Sequence, residues 1–310
     1  FVLAIPANIL QAGNENLIRV SVDNELTPAT TLPLRQPVGG WRTYGGIFRD
    51  LYILGTPRLA VEDAEVTYPP SDPNRNRKVS VHAEIADRGS ENKLSPGEYY
   101  GFQVEAYDKL SGEMTGRSGI TTFAPPSNKS IMVNGEVILP PPKLWSPETP
   151  DLYVFKCEIV KLASKEVTVL DEYDIDVGIR DLRWAGGRLY VNENLEPLKG
   201  VLWQEDHATF GGAMPYEALE RDVPLIKALG ANLIRFPHPP HPYMLNLCDR
   251  YGLFAMEEIP LVGVPSGILG KDYYEDLAST YVREMVWRDR HHTSVLAWGI
   301  GDGFETPSSG

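Results

Sequence analysis

Ala231-Asn-Leu-Ile-Arg-Phe-Pro-His-Pro-Pro-His-Pro-Tyr-Met-Leu-Asn-Leu-Cys-Asp-Arg-Tyr-Gly-Leu-Phe-Ala-Met256 decides the fold class. Residues 231–236 form a short, largely apolar run that reads as a strand. Residues 242–251 read as a helix closed by Gly252, and residues 253–256 as the next strand. The same alternation continues on both sides. Upstream, residues 198–204 read as a buried strand and residues 215–229 as a helix, with Leu219, Val223 and Ile226 at helical spacing and Gly230 as the stop. Downstream, residues 274–288 place Tyr274, Leu277, Tyr281 and Met285 on one helical face, and residues 295–300 make a fourth strand. Strand and helix in alternation imply right-handed crossovers and a parallel sheet. Pro224 lies inside the helix at 215–229, so that helix is expected to start late or bend.

N-terminal to this region the period changes from helical to two. Val79, Val81, Ala83 and Ile85 alternate with polar residues, as do Phe102, Val104 and Ala106, and Tyr153, Phe155, Cys157 and Ile159. Strands punctuated by Pro-Pro, Pro-Gly and Ser-Gly predict an immunoglobulin-like β-sandwich. Earlier still, residues 17–23 alternate in the same way through Ile18, Val20 and Val22, and residues 51–54 make a second strand. Two strands cannot close a sandwich, so this segment reads as the tail of a β-domain.

Composition limits the function classes. The chain has 310 residues, with 42 acidic against 29 basic side chains and a formal charge of −13. Such a charge opposes nucleic-acid and anionic-lipid partners, and no apolar run reaches the roughly 18 residues a membrane span needs. Cys157 and Cys248 are far apart and read as small buried hydrophobes. The chain opens at Phe1 without a Met or a basic leader, as if cut from something longer.

In parallel α/β folds the working residues gather at the C-terminal ends of the strands. Those ends offer Gln204, Glu205, Asp206 and His207, then Arg235 and His238, then Glu257 and Glu258, and finally Asp302 and Glu305. Metal and cofactor chemistry is not expected. His238 and His241 are separated and followed by prolines that forbid a helix presenting both to one ion, and His291 and His292 are adjacent and point apart. Neither a glycine-rich phosphate loop nor a Gly-x-Ser-x-Gly elbow occurs. Carboxylates with Trp, Arg and His on one rim suit sugars, whose ring faces stack on aromatics and whose hydroxyls pair with charged groups. A carbohydrate is therefore the expected partner.

Several stretches then follow one another in a telling order. They are Trp41-Arg-Thr-Tyr-Gly-Gly-Ile-Phe-Arg-Asp50, Lys143-Leu-Trp-Ser-Pro-Glu-Thr-Pro-Asp-Leu-Tyr153, Gly178-Ile-Arg180, Leu198-Lys-Gly-Val201, Arg221-Asp222, Asn232-Leu-Ile-Arg235 with His238, Cys248-Asp-Arg-Tyr-Gly-Leu253 and Arg288-Asp-Arg-His-His-Thr-Ser-Val295. In this order they resemble glycoside hydrolase family 2, the β-galactosidase, β-glucuronidase and β-mannosidase group. The resemblance implies a multidomain β plus α/β chain. Its parts would be the C-terminal part of a sugar-binding jelly-roll domain (residues 1–59), an immunoglobulin-like β-sandwich with its linker (60–188) and the N-terminal half of a (β/α)8 TIM barrel (189–310). It further implies hydrolysis of terminal β-linked glycosides with retention, and by analogy a periplasmic or secreted setting.

Carried over by position, Arg235 and His238 match the family's Arg-x-x-His, and Glu258 matches the acidic residue ending strand three. With Asp206, His207 and Trp298 they make the expected sugar-binding set. The family's acid/base motif Trp-x-x-Gly-Asn-Glu reads here Trp298-Gly-Ile-Gly-Asp302-Gly303, with glycine at the position of the catalytic Glu. Glycine has no proton to give. Glu305, about 6 to 7 Å further along an extended strand, and Asp302 are the remaining substitutes. The family's nucleophile lies at the end of strand seven, and residues 198–310 are fewer than half of the about 250 residues a barrel takes. The expectation is therefore a catalytically dead piece of a longer chain, with a non-catalytic carbohydrate-binding or assembly protein as the alternative.

Overall fold

The computed structural model describes all residues except 1–2, 6–8, 12, 28–30, 33–43, 71, 73, 90–93, 96, 126–128, 165, 265–266, 268–269 and 304–310. Among the described residues before Leu59 no strand forms. Residues 17–23 and 51–54, expected to be strands, carry no sheet pairing, and Ile18, Val20 and Val22 stand exposed. Period-2 alternation marks a segment fit for a ladder. The ladder itself needs a neighbour in register, and none of the described residues supplies one.

The sandwich begins with β1 (Leu59–Thr67), β2 (Arg77–Asp87), β3 (Glu98–Asp108), β4 (Met114–Arg117), β5 (Thr121–Phe123), β6 (Ser130–Leu139), β7 (Tyr153–Ala163) and β8 (Glu166–Val177). One sheet has the order β1-β2-β6. The other runs β4-β3-β7-β8, with β5 also paired to β3. All pairings are antiparallel, and the inward residues predicted from alternation meet in one core: Val79, Val81, Ala83 and Ile85 from one sheet, and Phe102, Val104, Phe155, Cys157 and Ile159 from the other. Burial pushes the Cys157 thiol up to about 12, so it behaves as the apolar filler expected of it.

A small meander follows, β9 (Leu182–Ala185), β10 (Arg188–Val191) and β11 (Asn194–Leu195), which straddles the expected boundary at 188/189 between linker and barrel. Then come β12 (Gly200–Leu202), α1 (Tyr216–Ala228), β13 (Leu233–Phe236), α2 (Pro242–Tyr251), β14 (Phe254–Glu258), α3 (Asp272–Asp289) and β15 (Val295–Gly299). The four strands pair in parallel in chain order. Leu219, Val223 and Ile226 of α1 and Met244, Leu245 and Cys248 of α2 pack on Ile234, Phe236 and Ala255 of the sheet. Tyr274, Leu277, Tyr281 and Met285 of α3 share a second cluster, on the face their spacing predicted.

Of the two outcomes expected from Pro224, the late start does not occur. Helix α1 begins at Tyr216 and runs through Pro224. The carbonyl that loses its donor there belongs to Glu220, an exposed residue that water can serve. In α2, Pro242 opens the first turn and Gly252 closes the last, and the His241 ring caps the start by accepting from the Tyr243 N–H at 3.1 Å.

Trp145 locks the sandwich to the parallel sheet. It is wholly buried, meets Phe254 edge-on with ring centroids 5.3 Å apart, and donates its Nε1–H to the Asp249 carbonyl at 2.8 Å. Arg180 lies over both rings and donates to the Val295 carbonyl at 2.6 Å, and the Gly178 N–H donates to Thr293 Oγ1 at 2.7 Å. Burial pulls the Arg180 guanidinium down to about 10.

Candidate functional site

The alternation of parallel strands sets which side chains can meet. On β13, Ile234 and Phe236 face the helices, so Arg235 between them faces the opposite side. Glu258 at the end of β14 shares that side. Arg235 grips it with a fork, Nε to Oε1 at 2.6 Å and Nη2 to Oε2 at 3.0 Å, and the Glu258 side chain is almost completely buried. Nη2 also lies 3.1 Å from Oδ2 of Asp302, beyond β15. The Glu258 hydrogen bond first, and Asp302 with it, raises the Arg235 guanidinium above its ordinary range. Gly299 makes this trio possible. A Cβ there would stand 2.4 Å from Cγ of Glu258, so a side chain at that rung would expel the carboxylate.

Asp302 is held by its backbone. Its N–H donates to the Leu261 carbonyl at 3.0 Å, and its own carbonyl accepts from the Gly263 N–H at 3.1 Å. Its side chain is 57% exposed, a carboxylate open to hydroxyl donors. The next residue, Gly303, has φ +65, and a Cβ built on it would meet only the Gly263 nitrogen, at 3.8 Å. Glu305 lies outside the described residues.

A second set of contacts surrounds the loop that carries His238. Glu205, nearly buried, accepts from the His241 N–H at 2.6 Å and from Arg49 Nη2 at 2.8 Å. Arg49 also donates to the carbonyls of Pro239 (3.1 Å) and Pro240 (2.9 Å), and Arg288 donates to the same Pro240 carbonyl at 2.9 Å. Two guanidiniums from distant parts of the chain therefore hold one proline-rich loop. Burial lowers the affinity of His238 for a proton, Glu205 opposing it, and the ring lies 3.3 Å from the Pro239 carbonyl. His241 is likewise lowered, by burial and then by Arg49.

The other expected residues have different surroundings. Asp206 accepts from the Tyr44 hydroxyl at 2.5 Å. His207 stacks on Phe210 at 4.9 Å, and its Nδ1 accepts from the Thr209 N–H at 3.0 Å. Trp298 pairs in register with Glu257, not Glu258, and packs against the two hydrophobic clusters on the helix side. The sequence-expected set thus divides: Arg235, Glu258 and Asp302 converge, and His238 sits on the braced loop. Asp206 and His207 line a turn against Tyr44, and Trp298 packs inside.

Arg49, Tyr44 and Arg288 were missed as site neighbours. The Trp41–Asp50 stretch was singled out, but nothing in the sequence joins Arg49 to Glu205, 156 positions away. Trp41, Arg42 and Thr43 of that stretch lie outside the described residues. Among the described residues no group of three or more His, Cys, Asp or Glu is placed to hold a metal ion. The site can fix sugar hydroxyls with charged donors and acceptors. Its described residues place no carboxylic acid at position 303.

Residues 182–306 match the family description "Glycosyl hydrolases family 2, TIM barrel domain", and residues 59–180 match "Glycosyl hydrolases family 2". A β-galactosidase of Psychromonas ingrahamii is 28% identical over 264 residues, covering 83% of this chain and 25% of that protein. A β-galactosidase of Vibrio vulnificus is 31% identical over 274 residues, with the same coverage of 83% and 25%. A β-glucuronidase of Bacteroides uniformis superimposes with a TM-score of 0.76 at 24% identity, over 91% of this chain and 33% of that one, a likeness of fold. The chain spans about a quarter of the length of the curated relatives it matches.

Proposed function

Because the chain belongs to glycosyl hydrolase family 2, we propose that it carries the sugar-holding half of a β-glycosidase site without the group that would protonate the leaving oxygen. The parent activity is hydrolysis of terminal β-linked glycosides with retention, which needs two carboxyl groups about 5 to 5.5 Å apart, one of them an acid. One observation carries the reading: Arg235, Glu258 and Asp302 converge at the ends of three adjacent parallel strands, while Gly303 occupies the position of the acid. Arg235 holds the buried Glu258 and the exposed Asp302 together, and the Asp302 carboxylate accepts hydrogen bonds from sugar hydroxyls. No described residue beside them is placed to act as a general acid.

The expected result is that the chain turns over none of the aryl β-galactoside, β-glucuronide and β-mannoside, and that calorimetry detects sugar binding that Arg235→Ala abolishes. Turnover that disappears in Glu305→Gln would overturn the inactive reading. Absence of any sugar binding would remove the carbohydrate-binding one. A second reading, a scaffold kept for binding or assembly alone, is favoured by Asp302, which is tied to Arg235 beside a glycine. A glutamate at the strand-seven position of the parental gene would count against it.

A further inference from the structure

Directly behind Glu258 lies a carboxyl that the sugar-facing side does not use. Glu257 alternates with Glu258 and therefore points away from Arg235, into the layer between the sheet and the helices. Its side chain is fully excluded from solvent, and neither of its oxygens has a hydrogen-bond partner among the described residues.

Two elements face it. The end of α3 supplies Asp289, also fully buried, and Arg288. The Arg288 Nη2 is 4.0 Å from Glu257, while the guanidinium grips Asp289 by donating from Nη2 at 2.5 Å and from Nε at 2.7 Å. From α2 come Cys248 and Asp249. Asp249 is taken by His292 Nδ1 at 2.7 Å and by the Ser294 N–H at 2.6 Å. Beyond Arg288, Arg49 and Glu205 form their own pair. Charges then match in couples: Arg288 with Asp289, His292 with Asp249, Arg49 with Glu205. Glu257 is the acid left over.

A solitary buried carboxylate costs more than taking up a proton, so such a group neutralises. Asp289, next to Arg288 at the end of α3, is the buried carboxylate whose charge acts on Glu257, and two carboxyls hydrogen-bond only when one of them carries a proton. Burial, and then the charge of Asp289, push the Glu257 carboxyl up to about 9.

We propose that Glu257 is a resident neutral acid that donates its O–H to Asp289 and thereby positions Arg288 on the Pro240 carbonyl of the His238 loop. It is a positioning residue, acting through Asp289 and Arg288, and the assignment goes beyond the proposed function without depending on it. Once its proton is lost, two anions compete for one guanidinium, and Arg288 is drawn off Pro240 toward Glu257.

The sign of the pH effect is fixed. In the unfolded chain a glutamate releases its proton near about pH 4.3, whereas here it holds it to about 9. The contribution of this group to stability is therefore full below about 4.3 and is lost progressively as pH rises to about 9. Glu257→Gln keeps an N–H donor toward Asp289 and cannot ionise. Relative to the original chain, its folding constant should rise by about tenfold per pH unit between about pH 5 and pH 9, then level off. Subtracting the two profiles cancels His292, which titrates in the same layer.

In the unsubstituted chain, carbon-13 resonances of labelled glutamates should include one carboxyl still protonated at neutral pH. The His238 ring signal should shift as pH passes about 9 in that chain and not in Glu257→Gln. A stability difference flat in pH, or every glutamate ionised at neutral pH, would overturn the assignment. If Glu257→Gln does not fold, the carbon-13 titration decides alone.

Discussion

The sandwich and the parallel sheet bury charge in opposite ways. In the sandwich four buried charges each meet one opposite charge of their own: Arg77 with Asp181, Asp87 with Arg58, Asp108 with Lys143, Glu105 with Arg117. In the parallel sheet partners are shared. Arg235 serves two carboxylates, the Pro240 carbonyl takes two arginines, and Glu257 has no cation of its own. Separate pairs give nearly additive mutational costs, whereas groups sharing a partner are coupled. A scaffold is built the first way. Charges that packing does not require, converging behind one rim, are what a binding site needs.

The largest break in this comparison should come from the residue that joins the two regions. Trp145→Ala removes a fully buried indole and its bond to the Asp249 carbonyl, and is expected to cost about 3 to 5 kcal/mol. Urea unfolding should split into two transitions, the sheet melting first. One transition at an unchanged midpoint would show that the regions are not joined there.

Next in size is a matched pair of glycines. Gly299→Ala and Gly135→Ala both overpack, with a new Cβ 2.4 Å from Glu258 Cγ in the first and 2.7 Å from Val104 Cγ2 in the second. Each should cost about 1 to 3 kcal/mol. Calorimetry should find sugar binding lost in Gly299→Ala and kept in Gly135→Ala, and equal loss in both would erase the distinction between scaffold and site.

Smaller than these are the pH effects of two single ion pairs, one in each region. Lys143, and then the Ser111 N–H, hold Asp108 down to about 2, so its contribution, about 1 kcal/mol after solvent screening, is present above 3.8 and is lost as pH falls toward about 2. Burial opposes a charge on His292, but Asp249 outweighs it and the ring is raised. Its contribution is full below 6.5 and is lost as pH rises through its raised value. Thermal midpoints of Asp108→Asn should flatten the acid side only, and those of His292→Gln the alkaline side only.

The long elements were legible because each carries its own period. Val79 to Ile85 and Phe155 to Ile159 show it for strands, and Tyr274 to Met285 for a helix. The β9–β10–β11 meander was not, since strands of two to four residues are too short to display one. Residues 17–23 misled for the converse reason, a period without a partner strand among the described residues. At the site, strand ends put Arg235, Glu258 and Asp302 in a set of ten polar residues, and the family resemblance singled them out. The brace on the His238 loop was not legible, because Arg49 and Arg288 reach it by folding, not by spacing.

Gly303 also bears on how such a chain can change over generations. Its backbone has φ +65, a conformation any L side chain resists by roughly 1 to 2 kcal/mol, and the nearest atom to a new Cβ is 3.8 Å away. A single substitution to glutamate would restore the functional group on a turn that neither welcomes nor steadies it. On the proposed function, a working acid at this position would take a change in the side chain and another in the turn. If the proposed function holds, the turn acts as a ratchet, since a change in the side chain and a change in the turn would each have to wait for the other.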